Sequence, residues 1–235
     1  MPATAPRVLL TRPLAASTRF AADVRAMGLD CLIAPLMRIV PVAHDPAVVD
    51  AARNLIFTSE NAIPFAGQGR GRSALCVGPR TALAAHVAGF AVTCGPGDAA
   101  RLMPMLPANP TGWLHLRGRH VSAHLNVPEI VVYDQAQMPM SPEGRAVLAA
   151  PDPVILPLFS PRSARLAAHA TVDSTAPLML AAISAATLAA WRDAGGADGP
   201  SITAITPDAD GMLTAVGSLA KLPPRQWVEH ATGRA

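Results

Sequence analysis

At 235 residues and a formal charge of +3, the chain is long enough for one large or two small cores, and too mildly basic for a nucleic-acid footprint. About half the residues are hydrophobic (51%) but only 4% are aromatic, so the cores must be Ala, Val and Leu packing. Lys221 is the only lysine, so nearly all the positive charge is arginine, the better planar partner for an acidic ligand, although genomic base composition is the plainer explanation.

Val8–Thr11 reads as a short strand, Arg12-Pro13 as a turn, and Leu14–Met27 as a helix with apolar spacing at Leu14, Phe20, Val24 and Met27, stopped by Gly28. Leu32–Ala34 is the next strand, which makes a βαβ unit and predicts a parallel sheet. Pro35–Pro41 is extended and proline-bounded, a crossing into another domain. A helix over Val48–Ala52 leads to the buried strand Leu55–Phe57, which ends in Thr58 and Ser59 where a helix N-cap belongs. Gly67–Gly71 is a turn, since it lacks the strand before and the Lys-Ser/Thr after that a phosphate loop needs.

Leu75–Val77, Gly78-Pro79 and Thr81–Ala88 read as strand, turn and helix, and Gly89–Val92 as the next turn and strand. Asp98 caps a helix over Ala99–Leu106. Trp113–Leu116 is a strand with Arg117-Gly-Arg119 at its end, Val121–Leu125 a short helix, and Ile130–Tyr133 a strand. Gln135–Pro142 is the return crossing. Helices over Glu143–Ala149, Arg162–Ala168, Ala185–Arg192 and Gly211–Ala220 then alternate with strands at Val154–Phe159, Leu178–Ile183 and Ile202–Ile205. The most apolar run, Leu178–Trp191, falls short of the ~20 residues of a membrane span and carries Ser184 and Thr187. Cys31, Cys76 and Cys94 are odd in number and not motif-spaced, as expected of free thiols in a reducing cytoplasm.

The two halves echo each other. Phe57 and Ser59 return as Phe159 and Ser160, Thr81 as Thr187, and Arg12 and Arg117 occupy equivalent positions. Each hydroxyl alone is a simple helix cap and each arginine alone an ordinary surface residue. Four strand-end hydroxyls in matching positions of two units, with an offset of roughly 100 residues, instead suggest a duplicated domain whose two faces meet an anionic ligand across a cleft. His120 and His124 stand four apart near His115, a spacing that suits a metal, but no Glu stands beside His120 and no Cys pair is near, so a surface helix is the plainer reading. No nucleophile elbow, carboxylate pair or dinucleotide fingerprint is present. Tyr133, the only tyrosine, reads by itself as a half-buried strand aromatic, and its phenol could hold or deliver a proton at a domain junction.

Taken in order, Thr11-Arg12-Pro13, Ile56-Phe-Thr-Ser59, Val77-Gly78 with Thr81-Ala82, Leu116-Arg-Gly118, Val132-Tyr133, Phe159-Ser-Pro161 and Ala182-Ile183 with Thr187 resemble the uroporphyrinogen-III synthase family, from about Val8 to Val216. The resemblance implies two similar flavodoxin-like α/β domains with small parallel sheets flanked by helices. It also implies a two-stranded linker that would join them, with the cleft between them. One domain would take residues 1–36 and 141–235, the other 40–135, with linkers at about 35–42 and 135–142. The implied reaction closes hydroxymethylbilane to uroporphyrinogen III with loss of water and inversion of ring D, without metal or organic cofactor. The enzyme would be a cytoplasmic monomer with a small-molecule substrate and no nucleic-acid or membrane partner. Tyr133 aligns with the tyrosine proposed to assist departure of the hydroxyl. Arg12, Thr58, Ser59, Thr81, Arg117, Ser160 and Thr187 are the implied substrate-binding set. The second unit departs from the family's Gly-x-x-Thr, reading Ser184-Ala-Ala-Thr187, and Ala186 lacks a hydroxyl. That departure leaves open an alternative, a non-catalytic two-domain binder of an acidic ligand.

Overall fold

A computed structural model describes residues 5–106, 108–121 and 123–223. In chain order the elements are β1 (Arg7–Leu10), α1 (Leu14–Ala26), β2 (Cys31–Ile33), β3 (Met37–Pro41), α2 (Pro46–Ala51) and β4 (Asn54–Phe57). A 3-10 helix (Glu60–Ala66) precedes β5 (Ser73–Cys76), α3 (Pro79–Val87), β6 (Ala91–Cys94), α4 (Ala99–Leu102), β7 (Trp113–Gly118) and β8 (Glu129–Gln137). The chain closes with α5 (Pro142–Ala149), β9 (Val154–Leu158), α6 (Pro161–Ala170), β10 (Leu178–Ala182), α7 (Ala185–Asp193), β11 (Ser201–Thr203) and α8 (Ala209–Ala220).

These elements form two units, residues 1–38 with 137–235 and residues 39–136. The first carries a five-stranded sheet in the order β11-β10-β9-β1-β2, with every neighbour parallel. Its strands are apolar at consecutive positions because both faces are covered. Leu9, Leu156, Leu158, Leu178 and Leu180 face one core with residues of α5, α6 and α7, including Trp191. Val8, Leu10, Ile155, Met179 and Ala181 face the other, with Phe20 and Val24 of α1 and Met212 and Val216 of α8. Truncating a fully buried leucine such as Leu156 to alanine would cost about 2–5 kcal/mol.

Pro157 sits inside this sheet, where proline removes a ladder donor. The Arg7 amide donates to the Pro153 carbonyl and the Val154 amide to the Pro177 carbonyl, so odd-numbered β9 residues bond toward β1 and even-numbered ones toward β10. The missing donor therefore falls on the β1 side. The β9–β10 ladder runs from Val154 to Leu158, whereas β1 is registered with β9 only over Arg7 and Val8.

The second sheet has the order β3-β8-β7-β4-β5-β6, with β8 through β6 parallel. Leu55, Phe57, Ala74, Cys76, Leu114 and Leu116 turn toward α2, the 3-10 helix and α3. Ile56 and Leu75 turn the other way, onto Leu102 and Leu125. The chain crosses from one unit to the other within β3 and returns at the end of β8.

Three local expectations change. Residues 121 and 123–125 are irregular rather than helical, and the His120 and His124 side chains reach Asp134 and Glu129 instead of sharing a helix face. The segment after Ser59 is a 3-10 helix because Pro64, inside it, has no amide for an α-helical bond. Asp98 does accept from the Arg101 amide (2.8 Å), but the helix it opens stops at Leu102, and a 3-10 turn containing Pro104 follows. Among the described residues no helix is long and apolar enough to cross a membrane.

Candidate functional site

In the first unit the chain leaves β1 toward β2 on one side and comes back to β9 on the other, so a topological switch point lies at the C-terminal ends of β1 and β9. Arg12 and Ser160 follow those two ends. The Arg12 guanidinium lies 3.9 Å from the centroid of the Phe159 ring, and Phe20 meets the same ring edge-on at 5.0 Å. The Arg12 carbonyl accepts from Ser17 Oγ at 2.9 Å, which ties the turn to the first turns of α1. Thr11 is buried and its hydroxyl has no hydrogen-bond partner among the described residues. The N-cap of α1 is Pro13, which has no capping side chain, so first-turn amides of a 13-residue helix stay uncapped here.

Ser160 is the N-cap of α6 and forms a reciprocal box with Ser163: its hydroxyl accepts from the Ser163 amide at 3.1 Å, and its amide donates to Ser163 Oγ at 3.0 Å. Pro161 occupies the first helical position. Thr187 is not a cap. It is fully buried in the first turn of α7, behind the N-cap Ser184, whose hydroxyl accepts from the Thr187 amide at 3.3 Å and lies 3.0 Å from its Oγ1. Thr81 has the same place in α3, buried behind the N-cap Gly78. Gly78 and Ser184 are both extended, at φ −169° and −158°, a conformation that any residue adopts. What the serine changes is the amide supply: Gly78 leaves the start of α3 without a side-chain cap, whereas Ser184 occupies one amide of α7.

In the second unit the switch point falls between β4 and β7, since β5 and β6 lie to one side and β8 to the other. Thr58 and Ser59 follow β4. Thr58 Oγ1 is 2.9 Å from Nε2 of the fully buried His115 on β7. Ser59 caps the 3-10 helix, accepting from the Asn61 amide at 3.3 Å. The Ser59 and Asn61 side chains also lie close enough to the Tyr133 hydroxyl to favour its ionised form.

Tyr133 is not at a strand end but in the middle of β8. Between Arg117–Val131 and Gly118–Tyr133 the β7–β8 register slips by one residue, a β-bulge. An unbroken strand would send Val132 and Tyr133 to opposite faces, yet both bury in the same core. The bulge thus turns the phenol toward the Ser59 side. The ring lies parallel to Phe65, centroids 6.4 Å apart, and against Gly118, where a Cβ would stand 2.6 Å from Tyr133 Cζ. Burial pushes the phenol above its ordinary range, while the nearby Ser59 and Asn61 side chains pull it down less strongly.

Arg117 donates to Glu129 Oε1 at 2.5 Å and to the Gly118 carbonyl at 3.0 Å, so its guanidinium is engaged within the β7–β8 edge. Burial lowers His115 to about 4, which keeps the imidazole neutral near pH 7. Among the described residues no cluster of three or more His, Cys, Asp or Glu could hold a metal ion.

Ser59 and Tyr133 are brought together, while Thr58, just past β4, bonds His115 instead. Arg12 and Ser160 share the rim of the first unit, while Thr81 and Thr187 lie beneath helix starts rather than at their tips. Residues that pattern reading left without a role are Asn61, Gly118 and His115. Gly118 lies inside the quoted Leu116-Arg-Gly118 motif, and Asn61 stands two residues after the cap, where an amide side chain commonly closes a turn.

The family model for uroporphyrinogen-III synthase HemD matches residues 18–214. Among solved structures, the uroporphyrinogen-III synthetase of Helicobacter pylori is similar at 18% identity, with a TM-score of 0.60, over 92% of this chain and 100% of that one. A mutant uroporphyrinogen III synthase from the extremely thermophilic bacterium Thermus thermophilus is similar at 17% identity and a TM-score of 0.51, over 92% and 98% of the two chains. At these identities the structural likeness speaks for the fold. No curated protein matches the chain.

Proposed function

The chain belongs to the uroporphyrinogen-III synthase family, and from that premise we propose how its own residues serve the cyclisation. The activity is that of a cyclising lyase of tetrapyrrole and heme biosynthesis: hydroxymethylbilane is closed to uroporphyrinogen III, water leaves, and ring D is inverted. The bilane carries many carboxylates and closes unaided to the wrong isomer. The work of the protein is therefore to hold the chain so that ring D attacks through its substituted carbon, by way of a spiro intermediate.

The observation that carries the residue assignment is the bulged β8, which sets the Tyr133 hydroxyl near Ser59 and Asn61 at a strand-end rim. A phenol held above its ordinary range stays protonated at neutral pH, so it can hydrogen-bond the departing hydroxyl as the azafulvene forms. We assign carboxylate binding to Arg12 and the uncapped start of α1, to Ser160, and to the start of α3 in front of Thr81. Ser59 lines the rim beside Tyr133, and Thr58 lines it beside His115. Thr187 and Arg117 support these surfaces, the first by bonding with the α7 cap and the second through Glu129.

We take the lobes to be residues 1–36 with 141–235 and residues 40–135, joined by strands at about 35–42 and 135–142. The free thiols Cys31, Cys76 and Cys94 support a cytoplasmic location, and we take the protein to act as a monomer. Freshly prepared hydroxymethylbilane, with separation of product isomers, tests the activity: isomer III must exceed the spontaneous background. The alternative, a non-catalytic binder of an acidic ligand, draws support from Ser184, which occupies a helix-start amide that glycine leaves open in α3. Only isomer I alongside intact ligand binding would establish it.

A further inference from the structure

His115 has no exposed surface, and it lies on the sheet face of Ile56 and Leu75, which Leu102 and Leu125 cover. A polar ring in such a place is costly unless its nitrogens are bonded. Nε2 has Thr58 Oγ1 at 2.9 Å, while Nδ1 is buried, has no hydrogen-bond partner among the described residues, and faces Glu129 Oε2 at 3.9 Å. The charged and titratable groups around the ring are Glu129 on β8, Arg117 on β7 and His124 in the loop after it. Arg117 and His124 both bond Glu129, which keeps its carboxylate ionised opposite Nδ1.

A carboxylate facing Nδ1 favours the neutral tautomer with the proton on that atom. Nε2 then holds a lone pair, and the Thr58 hydroxyl must donate its single hydrogen to it. Only acceptor capacity is left on Thr58 Oγ1 for a ligand. A carboxylate has no hydrogen to offer such an oxygen, whereas each pyrrole ring of a bilane carries an N–H. We propose that His115 is a positioning residue that fixes Thr58 Oγ1 as the acceptor for a pyrrole N–H of the substrate. This deepens the cyclisation reading and rests on it. Thr58 would then sense the ring system itself, while the arginine and the helix starts hold the acidic periphery.

The test uses the full chain and hydroxymethylbilane, with isomer III turnover and melting temperature measured for Thr58→Val, Thr58→Ser, His115→Phe and the Thr58→Val/His115→Phe double variant. Thr58→Val and His115→Phe should each lower kcat/KM about tenfold, the worth of one hydrogen bond. The double variant should lose no more than either single, and Thr58→Ser should keep activity. Additive losses, or an unchanged kcat/KM in Thr58→Val, would overturn the proposal. Thr58→Val decides the matter even if His115→Phe does not fold. Bilanes N-methylated at one pyrrole at a time supply the second arm. At one ring the wild type should lose about tenfold while Thr58→Val loses nothing further. Equal losses for both proteins at every ring would refute the N–H assignment. A wild-type protein that makes no isomer III would remove the cyclisation reading and this proposal together, which separates that failure from one confined to Thr58 and His115.

Discussion

One methyl group added at Gly118 should slow turnover more than removal of the Tyr133 hydroxyl. A Cβ on Gly118 would stand 2.6 Å from Tyr133 Cζ, 2.7 Å from Cε2 and 2.9 Å from Oη. Ordinary carbon contacts lie at ~3.5–4.0 Å, so the ring must retreat by roughly 1 Å. It cannot do so freely, because it is stacked on Phe65 and buried in the core of the second unit. Overpacking of this kind costs about 1–3 kcal/mol, which for a unit of this size, residues 39–136, lowers the melting temperature by roughly 4–8 °C per kcal/mol. A displacement near 1 Å at a reacting group can cost on the order of a hundredfold in rate. Scanning calorimetry and the isomer III assay on Gly118→Ala, compared with Tyr133→Phe, measure both effects. If Gly118→Ala keeps wild-type turnover while Tyr133→Phe does not, the ring has room to spare, and the argument from close packing fails.

Tyr133→Phe leaves the ring and its stacking in place and should lower kcat while costing only about 1 kcal/mol of stability, read from the same two measurements. His115 titrates near 4 in the fold against 6.5 ordinarily. Between those values the unfolded chain binds a proton that the folded chain does not. Stability should therefore rise across pH 4 to 6.5, be fully present above that window, and be lost toward pH 4, by on the order of 3 kcal/mol. Urea melts at several pH values should show that slope flattened in His115→Phe. Arg12→Gln should raise KM by roughly tenfold or more with a smaller effect on kcat, as expected when a charge-assisted contact to a carboxylate is lost; an unchanged KM removes Arg12 from the binding set. Ser160→Ala should cost about 0.5–2 kcal/mol through loss of the α6 cap, measured by thermal melting.

Much of the fold is legible in local pattern. Consecutive apolar residues at Leu55–Phe57 and Val154–Leu156 announce strands covered on both faces, and hydroxyls after them mark helix starts, as Ser59 and Ser160 turn out to do. The placement of Tyr133 is not legible in that way. Period-two reasoning cannot reveal a bulge, because the slip exists only in the pairing of β8 with β7. His115 looks like one of three histidines within a short stretch, and only the cross-strand register makes it a partner of Thr58. The short helix expected over Val121–Leu125, on which His120 and His124 would stand four apart, is absent among the described residues for the opposite reason. Spacing is a weak signal without caps, and Asp134 and Glu129 on β8 attract the two rings separately.

Pro157 gives the first rim a lopsided anchorage. The turn carrying Arg12 is sewn to the β2 side, where the Ala34 and Leu36 amides donate to the carbonyls of Leu10 and Thr11. Toward β9 the stitching stops two residues after it begins. A bulky guest pressing on that turn would thus work against ring packing on Phe159 rather than against a row of backbone bonds. Accommodation at the rim and rigidity of the sheet are thereby assigned to different forces.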